Sequence, residues 1–214
     1  MTHFSESSKA SKLRLAILIL AAGEGSRLGG YPKALLKKDG SSLLKRLIDS
    51  TQSFNPVETL VVTGFYANEI EAEIQAIEQN AQSPIAWVRN TNPAAGQSSS
   101  VRLGIESLKS NYDVVLIALC DQPKIGASEI KALLEQFDRR SAKQEIVLPV
   151  VNGQRGNPVL FSREVIERIL EMPGMVCRAY MDQHPELIKT FATDNEAYIL
   201  DADTQDDIQE LGLS

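Results

Sequence analysis

Residues 18–35 read Leu-Ile-Leu-Ala-Ala-Gly-Glu-Gly-Ser-Arg-Leu-Gly-Gly-Tyr-Pro-Lys-Ala-Leu, and their order decides the fold. An apolar strand, Leu15 to Leu20, runs straight into a loop holding Gly23, Gly25, Gly29 and Gly30. The same loop carries two cations, Arg27 and Lys33. Glycines let backbone N–H groups approach an anion without an intervening Cβ, and the cations neutralise its charge. In α/β proteins such a loop, at the C-terminal end of a parallel strand, is where nucleotides bind. A plain glycine turn with solvated basic residues would not need this conjunction directly after a buried-type strand.

Neither of two common nucleotide fingerprints fits. After Gly23 and Gly25 the next glycine is Gly29, so the Gly-x-Gly-x-x-Gly spacing of dinucleotide folds fails, which weighs against an oxidoreductase. Gly30 is followed by Tyr31-Pro32-Lys33 rather than Gly-Lys-Ser/Thr, so the loop is not a Walker A loop either.

Outward from this loop, β-branched apolar runs alternate with amphipathic segments, as expected for a mostly parallel sheet flanked by helices. Strands are expected at Leu15–Leu20, Thr59–Thr63, Ile85–Val88, Val114–Leu119, Ile146–Val150, Pro158–Phe161, Ile188–Ala192 and Ala197–Asp201. Helices are expected at Ser42–Gln52, Asn68–Gln79, Ser98–Leu108, Ala127–Phe137, Arg163–Met172 and Thr204–Leu211. Trp87 alternates with its neighbours in a strand and reads as core, and His184 as a surface residue. Residues 1–11 are polar and read as a flexible tail, with 12–214 as a single domain.

Composition narrows the partners. The 214-residue chain has a formal charge of −6, without runs of Lys or Arg, which disfavours nucleic acid and anionic membranes. No apolar stretch reaches the roughly 20 residues of a membrane span, and no signal-peptide core follows the N-terminus, so the expected location is cytoplasmic. The two cysteines, Cys120 and Cys177, make no disulfide framework; Cys120 reads as a buried small apolar residue.

Four more segments carry chemistry. In Leu116-Ile117-Ala118-Leu119-Cys120-Asp121-Gln122-Pro123 an apolar run ends in a lone carboxylate, on the same sheet edge as the glycine loop. Beside a triphosphate that carboxylate needs a cation between, the role of Mg²⁺, which is held by one or two carboxylates plus phosphate oxygens. In Leu200-Asp201-Ala202-Asp203-Thr204, either acid could meet Asp121 across a metal, and Asp203 could instead cap the last helix. Asn92-Pro93-Ala94-Ala95-Gly96-Gln97-Ser98-Ser99-Ser100 opens a helix with hydroxyls and free N–H donors; by itself this is an ordinary N-cap as readily as a sugar or phosphate contact. Asn152-Gly153-Gln154-Arg155-Gly156-Asn157-Pro158 reads alone as a hairpin turn.

The glycine-loop segment, read as Leu20-Ala21-Ala22-Gly23-Glu24-Gly25-Ser26-Arg27-Leu28-Gly29 and then Lys33, resembles the opening motif of the MobA-like NTP transferase family. Within it the chain is most similar to the molybdenum-cofactor cytidylyltransferase branch, with Ala22 where guanylyl-transferring members have glycine. The resemblance implies a Rossmann-like three-layer αβα nucleotidyltransferase fold with a mostly parallel, mixed sheet. It implies transfer of CMP from CTP to the phosphate of molybdopterin with release of pyrophosphate, and possible delivery of the product to a molybdoenzyme. It assigns Leu20, Ala21, Ala22, Gly23, Gly25, Arg27, Lys33, Gly96, Ser98 and Ser99 to the nucleotide; Arg27, Lys33 and Asp121 to catalysis; and Asp121 and Asp203 to Mg²⁺. On the acceptor side it assigns Gln122, Arg155, Gly156, Asn157 and Arg178. Asn157 stands where the branch has His, and Pro173-Gly174-Met175-Val176-Cys177-Arg178 keeps mainly the Arg of its counterpart. A relative using GTP or a sugar or polyol phosphate, and a cofactor carrier without enzymatic activity, are the alternative readings. The intact Lys33, Asp121 and Asp203 set argues against the carrier.

Overall fold

A computed structural model describes residues 13–79, 81 and 83–214; the expected tail at 1–11 lies outside them. In chain order the elements are β1 (Leu15–Ala21), β2 (Lys37–Lys38), β3 (Ser41–Ser42), α1 (Leu43–Gln52), β4 (Glu58–Thr63), α2 (Ala67–Glu78), β5 (Ile85–Arg89), α3 (Gln97–Ser107), β6 (Val114–Leu119) and α4 (Ala127–Asp138). They continue with β7 (Ile146–Val151), β8 (Gln154–Arg155), β9 (Val159–Ser162), α5 (Arg163–Glu171), α6 (Cys177–Gln183), β10 (Ile188–Ala192) and α7 (Gln205–Glu210). Eight strands form one sheet in the order β10-β7-β9-β6-β1-β4-β5, with β8 paired to β7. β6, β1, β4 and β5 run parallel, as do β10 and β7, while β9 is antiparallel to both its neighbours. The sheet is therefore mixed and mostly parallel, with helices packed on it.

All seven residues of β1 are buried, because this strand lies between β4 and β6 and carries side chains into both faces. Ile17 and Ile19 enter one apolar cluster, with Leu44, Ile48, Ile70 and Ile74 from α1 and α2. Leu18 and Leu20 enter the other, with Ile105 of α3 and Val165, Ile166 and Ile169 of α5. A strand covered on both faces reads as a continuous apolar run, which is what Leu15–Ala21 shows. The parallel strands β1, β4, β5 and β6 all end on one edge, so the loops after them converge there.

Two expectations need correction, and one helix was not expected. Ala197–Asp201 is not a strand: Glu196–Tyr198 forms a 3-10 turn, followed by irregular chain. Its backbone groups are spent elsewhere, since the Tyr198 carbonyl accepts from Asn157 N (2.8 Å) and Gln122 Nε2 (3.0 Å), while Ala197 N donates to Asn195 Oδ1 (3.0 Å) and Ile199 N to the Glu196 carbonyl (3.0 Å). Trp87 is not core; it is 37% exposed, because β5 is the edge strand of the sheet. The helix α6 went unread, since its seven residues follow Pro173-Gly174 and are too few for a clear 3.6-residue period. His184 is partly exposed as expected, with its ring 4.3 Å from that of Tyr180.

One side chain joins α3 to the end of α5. Arg102 Nη1 donates to the carbonyls of Ile169 (2.9 Å), Met172 (3.1 Å) and Met175 (3.2 Å), and Nη2 donates to that of Leu170 (3.1 Å). A helix C-terminus leaves carbonyls without intrahelical partners, and a guanidinium meets several of them at once. The contact holds the 172–176 segment, and with it the start of α6, against α3. Replacing Arg102 with Met should cost about 1–3 kcal/mol, the scale of charge-assisted hydrogen bonds lost, which lowers the melting temperature by roughly 2–4 °C for each kcal/mol in a chain of this size. Urea unfolding checks this; an unchanged midpoint would show that Arg102 is not holding the segment.

Candidate active site

The loop after β1 descends into two short turns. Gly25 takes φ of 63° and accepts, through its carbonyl, the N–H groups of Leu28 (2.9 Å) and Gly30 (3.1 Å). That left-handed conformation is open to glycine at little cost and turns the chain back on itself. Lys33 opens the second turn after Pro32, and its ammonium points back to the strand edge.

There Lys33 Nζ lies between two carboxylates, donating to Asp121 Oδ2 at 3.1 Å and, at closer range, to Asp203 Oδ1. The other oxygen of Asp203 accepts from Arg27 Nη1 at 2.6 Å. Three segments far apart in sequence thus meet at one ammonium. Burial of the Lys33 amine pushes its pKa down, but the charges of Asp121 and Asp203 and their hydrogen bonds outweigh that, so it stays raised and protonated. Asp203 does not cap the last helix. Thr204 does, its hydroxyl accepting from Asp207 N (3.2 Å), while Asp207 Oδ2 accepts from Thr204 N (2.7 Å) and Asp203 N (2.9 Å). With that box closed by other residues, the Asp203 carboxylate is left to face Lys33 and Arg27.

Asp201 is the third acid of the group. Burial first, then the charges of Asp121 and Asp203, push its carboxyl up to about 6, and its Oδ1 is buried without a hydrogen-bond partner. Three carboxylates thus face one ammonium and one guanidinium. Hard oxygen donors in slight anionic excess, one of them unpaired, fit a divalent cation that takes its remaining ligands from substrate phosphates. Among the described residues no group of three or more His, Cys, Asp or Glu is arranged as a metal cage by itself.

Beside this cluster opens a cavity of about 500 Å³. Of the residues assigned to the nucleotide, Leu20, Ala21, Ala22, Gly23, Lys33 and Gly96 line it, together with Asp121. Gly25 and Arg27 stand outside the wall, and Arg27 is 72% exposed. Ser98 and Ser99 also fall outside it: the Ser99 hydroxyl donates to the Gly96 carbonyl (2.7 Å) and accepts from Asn90 Nδ2 (2.9 Å), and Ser100 lines the cavity instead. Cys120 is buried, as expected, and burial pushes its thiol well up, which makes it a poor nucleophile.

A second, smaller cavity of about 130 Å³ shares Leu20, Gln97 and Leu119 with the first. Arg155, Gly156, Asn157 and Arg178, four of the five residues assigned to the acceptor, line it, although they come from β8, the following turn and α6. Gln122 is the exception. The residue is 5% exposed and lines neither cavity, and its carboxamide donates to the Tyr198 carbonyl, so its place is to brace the chain leading to Asp201. Arg155 pairs with Asp182 at 2.5 Å, whereas Arg178 makes no ion pair among the described residues. The floor is apolar, formed by Ile117, Leu148, Val159, Phe161 and Met181. Sequence reasoning passed over Phe65 and Met181 as cavity residues; for Phe65 a signal existed, an aromatic directly after an apolar strand and a glycine.

Comparisons with known proteins bear on the family and the fold. Residues 17–187 match the family described as MobA-like NTP transferase domain. Among curated proteins, the bifunctional protein GlmU of Psychrobacter arcticus is 30% identical over 166 residues, covering 62% of this chain and 36% of that protein. The chain spans about a third or less of the length of the curated relatives it matches first. Among solved structures, Rv0371c of Mycobacterium tuberculosis H37Rv superposes with a TM-score of 0.72 at 20% identity, covering 94% of this chain and 98% of that one. A second structure of Rv0371c is a complex with manganese, with a TM-score of 0.69 at 19% identity over 92% of this chain and 97% of that one. A nucleotidyl transferase from Methanothermobacter thermautotroptrophicus gives 0.70 at 18% identity over 92% and 95%.

The raised Asp201 carboxyl has a consequence for stability. Between its ordinary value of 3.8 and about 6 the native state binds more protons than the unfolded chain, so stability falls as pH rises through that window. In metal-free protein, Asp201→Asn should be more stable than wild type at pH 8 by about 1–3 kcal/mol, and the advantage should vanish towards pH 4. Thermal melts across that range check it; a variant less stable than wild type at pH 8 would contradict the assignment.

Proposed function

Since the chain belongs to the family of MobA-like NTP transferase domains, we propose that it is a divalent-cation-dependent nucleotidyltransferase moving CMP from CTP to the terminal phosphate of molybdopterin. The observation that carries the reading is Lys33 held between Asp121 and Asp203 at the wall of the larger cavity, with the second cavity adjoining it. In the reaction an oxygen of the acceptor phosphate forms a bond to the α-phosphorus of the nucleotide. The bond from that phosphorus to the β-phosphate oxygen breaks, and pyrophosphate carries away the electron pair. A phosphate monoester has its second pKa near 6, so the nucleophile is already a dianion at neutral pH and no general base is required.

The difficulty lies in bringing two polyanions together, which makes catalysis a matter of positioning and charge neutralisation. Lys33 and the loop amides beginning at Gly23 face the triphosphate, and Arg27 sits on the outer side of Asp203, where it meets the departing phosphates. Asp121 and Asp203 would hold Mg²⁺, which supplies charge neutralisation at the reacting phosphates when bound. Arg178, free of an ion pair among the described residues, and Arg155 attract the acceptor phosphate to the mouth of the second cavity. The apolar floor of that cavity offers few side-chain partners for the hydroxyls of a sugar or polyol, and supports an acceptor with a flat ring body. Ala22 in the cavity wall supports a pyrimidine, although one methyl group discriminates by only about 1–3 kcal/mol.

The test is pyrophosphate release from CTP, GTP, ATP and UTP, with and without Mg²⁺ and molybdopterin. CTP with both additions should be the productive combination; preference for GTP would move the protein to a guanylyl-transferring activity. Asp121→Asn should lower turnover by at least about 10²–10³-fold while the melting temperature stays close to wild type. Normal turnover in that variant would overturn the role given to Asp121.

A further inference from the structure

Phe65 is a large aromatic side chain left 42% exposed, and it lines the larger cavity rather than the outer surface alone. It is the second residue beyond β4, and the backbone on both sides of it is pinned to the loop after β1. On one side, a Cβ on Gly64 would stand 2.7 Å from the Cβ of Ala22 and 2.8 Å from its carbonyl oxygen, so only glycine lets the two segments pack this closely. On the other, the Tyr66 hydroxyl donates to the Glu24 carbonyl at 2.9 Å. Phe65 is therefore held at a fixed place while its ring stays open to the cavity.

The sheet order sets its distance from the charged cluster. Asp121 follows β6 and Phe65 follows β4, with β1 between them. Neighbouring strands lie about 4.8 Å apart, so the two loops are separated by roughly 10 Å across the sheet. Lys33 and Asp121 line the cavity on the β6 and β1 side, with Asp203 against Lys33. Glu24, in the loop after β1, is the one other charged residue among the described residues of the wall, and the segments after β4 and β5 contribute Phe65, Pro93 and Ala94, none of them charged. A nucleoside triphosphate has the same polarity, an anionic tail at one end and a flat ring with apolar faces at the other.

We infer that Phe65 is the stacking platform for the nucleobase and supplies affinity for any base, leaving base choice to other groups of the wall. The inference rests on reading the larger cavity as the nucleotide site. Stacking on an aromatic ring tolerates every base, because each has a π-face. Phe65 thus determines that the ligand is a nucleotide rather than a bare polyphosphate.

Calorimetric titration of wild type, Phe65→Ala and Phe65→Tyr with CTP and with inorganic tripolyphosphate, each with Mg²⁺, tests this. Phe65→Ala should weaken CTP by at least about tenfold and leave tripolyphosphate within about twofold, while Phe65→Tyr should bind CTP like wild type. Undiminished CTP binding by Phe65→Ala, with wild type binding normally, would overturn the stacking role and leave the nucleotide site standing. Equal loss of both ligands in Phe65→Ala would also overturn it, since a displaced loop rather than a lost ring would then be the cause. Failure of wild type to bind CTP would overturn both the inference and the reading beneath it.

Discussion

Lys33 is surrounded by acids because three separate stretches of chain end at the same edge of the sheet. The glycine loop brings the ammonium, the end of β6 brings Asp121, and the segment before α7 brings Asp203. Each acid pair would repel without the cation between, and the Lys33 side chain is only 18% exposed, so the ion pairs are weakly screened by water. Removing one partner from such a cluster leaves the rest uncompensated. Asp201 stands in the same group, its carboxyl raised by burial first and then by the charges of Asp121 and Asp203, and the backbone bond from Ala202 N to the Asp121 carbonyl ties the two acidic segments together. Under the proposed function, a ligand that brings its own anions and a divalent cation would take over both halves of this ion-pair cluster.

The sheet makes this possible. With β1 central and parallel to β4 and β6, the loops after three neighbouring strands open on the same side, and the glycine loop falls between Asp121 and Phe65. The antiparallel β9 then brings the turn carrying Gly156 and Asn157 back beside β6, where α6 adds Cys177, Arg178 and Met181. The two cavities share the ends of β1 and β6, in Leu20 and Leu119, and the start of α3, in Gln97. A nucleotide in one and a phosphorylated acceptor in the other would meet at that shared wall, next to Asp121.

Elements with long, regular patterns were legible in the sequence. The buried run Leu15–Ala21 and the i, i+4, i+7 isoleucines of α2 announce themselves, because burial on both faces or on one stripe leaves a periodic mark. The loop residues that line the larger cavity were legible for a different reason: glycine and lysine after a buried strand have few other uses. What escaped depended on tertiary context. The apolar run Ala197–Leu200 looks like a strand, yet the Tyr198 carbonyl is taken by Asn157 and Gln122 and the N–H groups of Ala197 and Ile199 by Asn195 and Glu196, so it has no ladder to join. Gln122 sits beside Asp121 in sequence but turns inward. Trp87 looks like core until the strand order shows it on the sheet edge. Ser98 and Ser99 promised donors, but neither lines the cavity, and the Ser99 hydroxyl donates to the Gly96 carbonyl while accepting from Asn90.

The most direct measurement is a crystal structure of the chain with a non-hydrolysable α,β-methylene analogue of CTP and Mn²⁺, with the metal located by its anomalous scattering. The account predicts a manganese peak bound by Asp121 and Asp203, the triphosphate against the glycine loop, and Lys33 transferred from the acids to phosphate oxygens. A triphosphate bound elsewhere, or a metal that leaves Lys33 bridging Asp121 and Asp203, would contradict it.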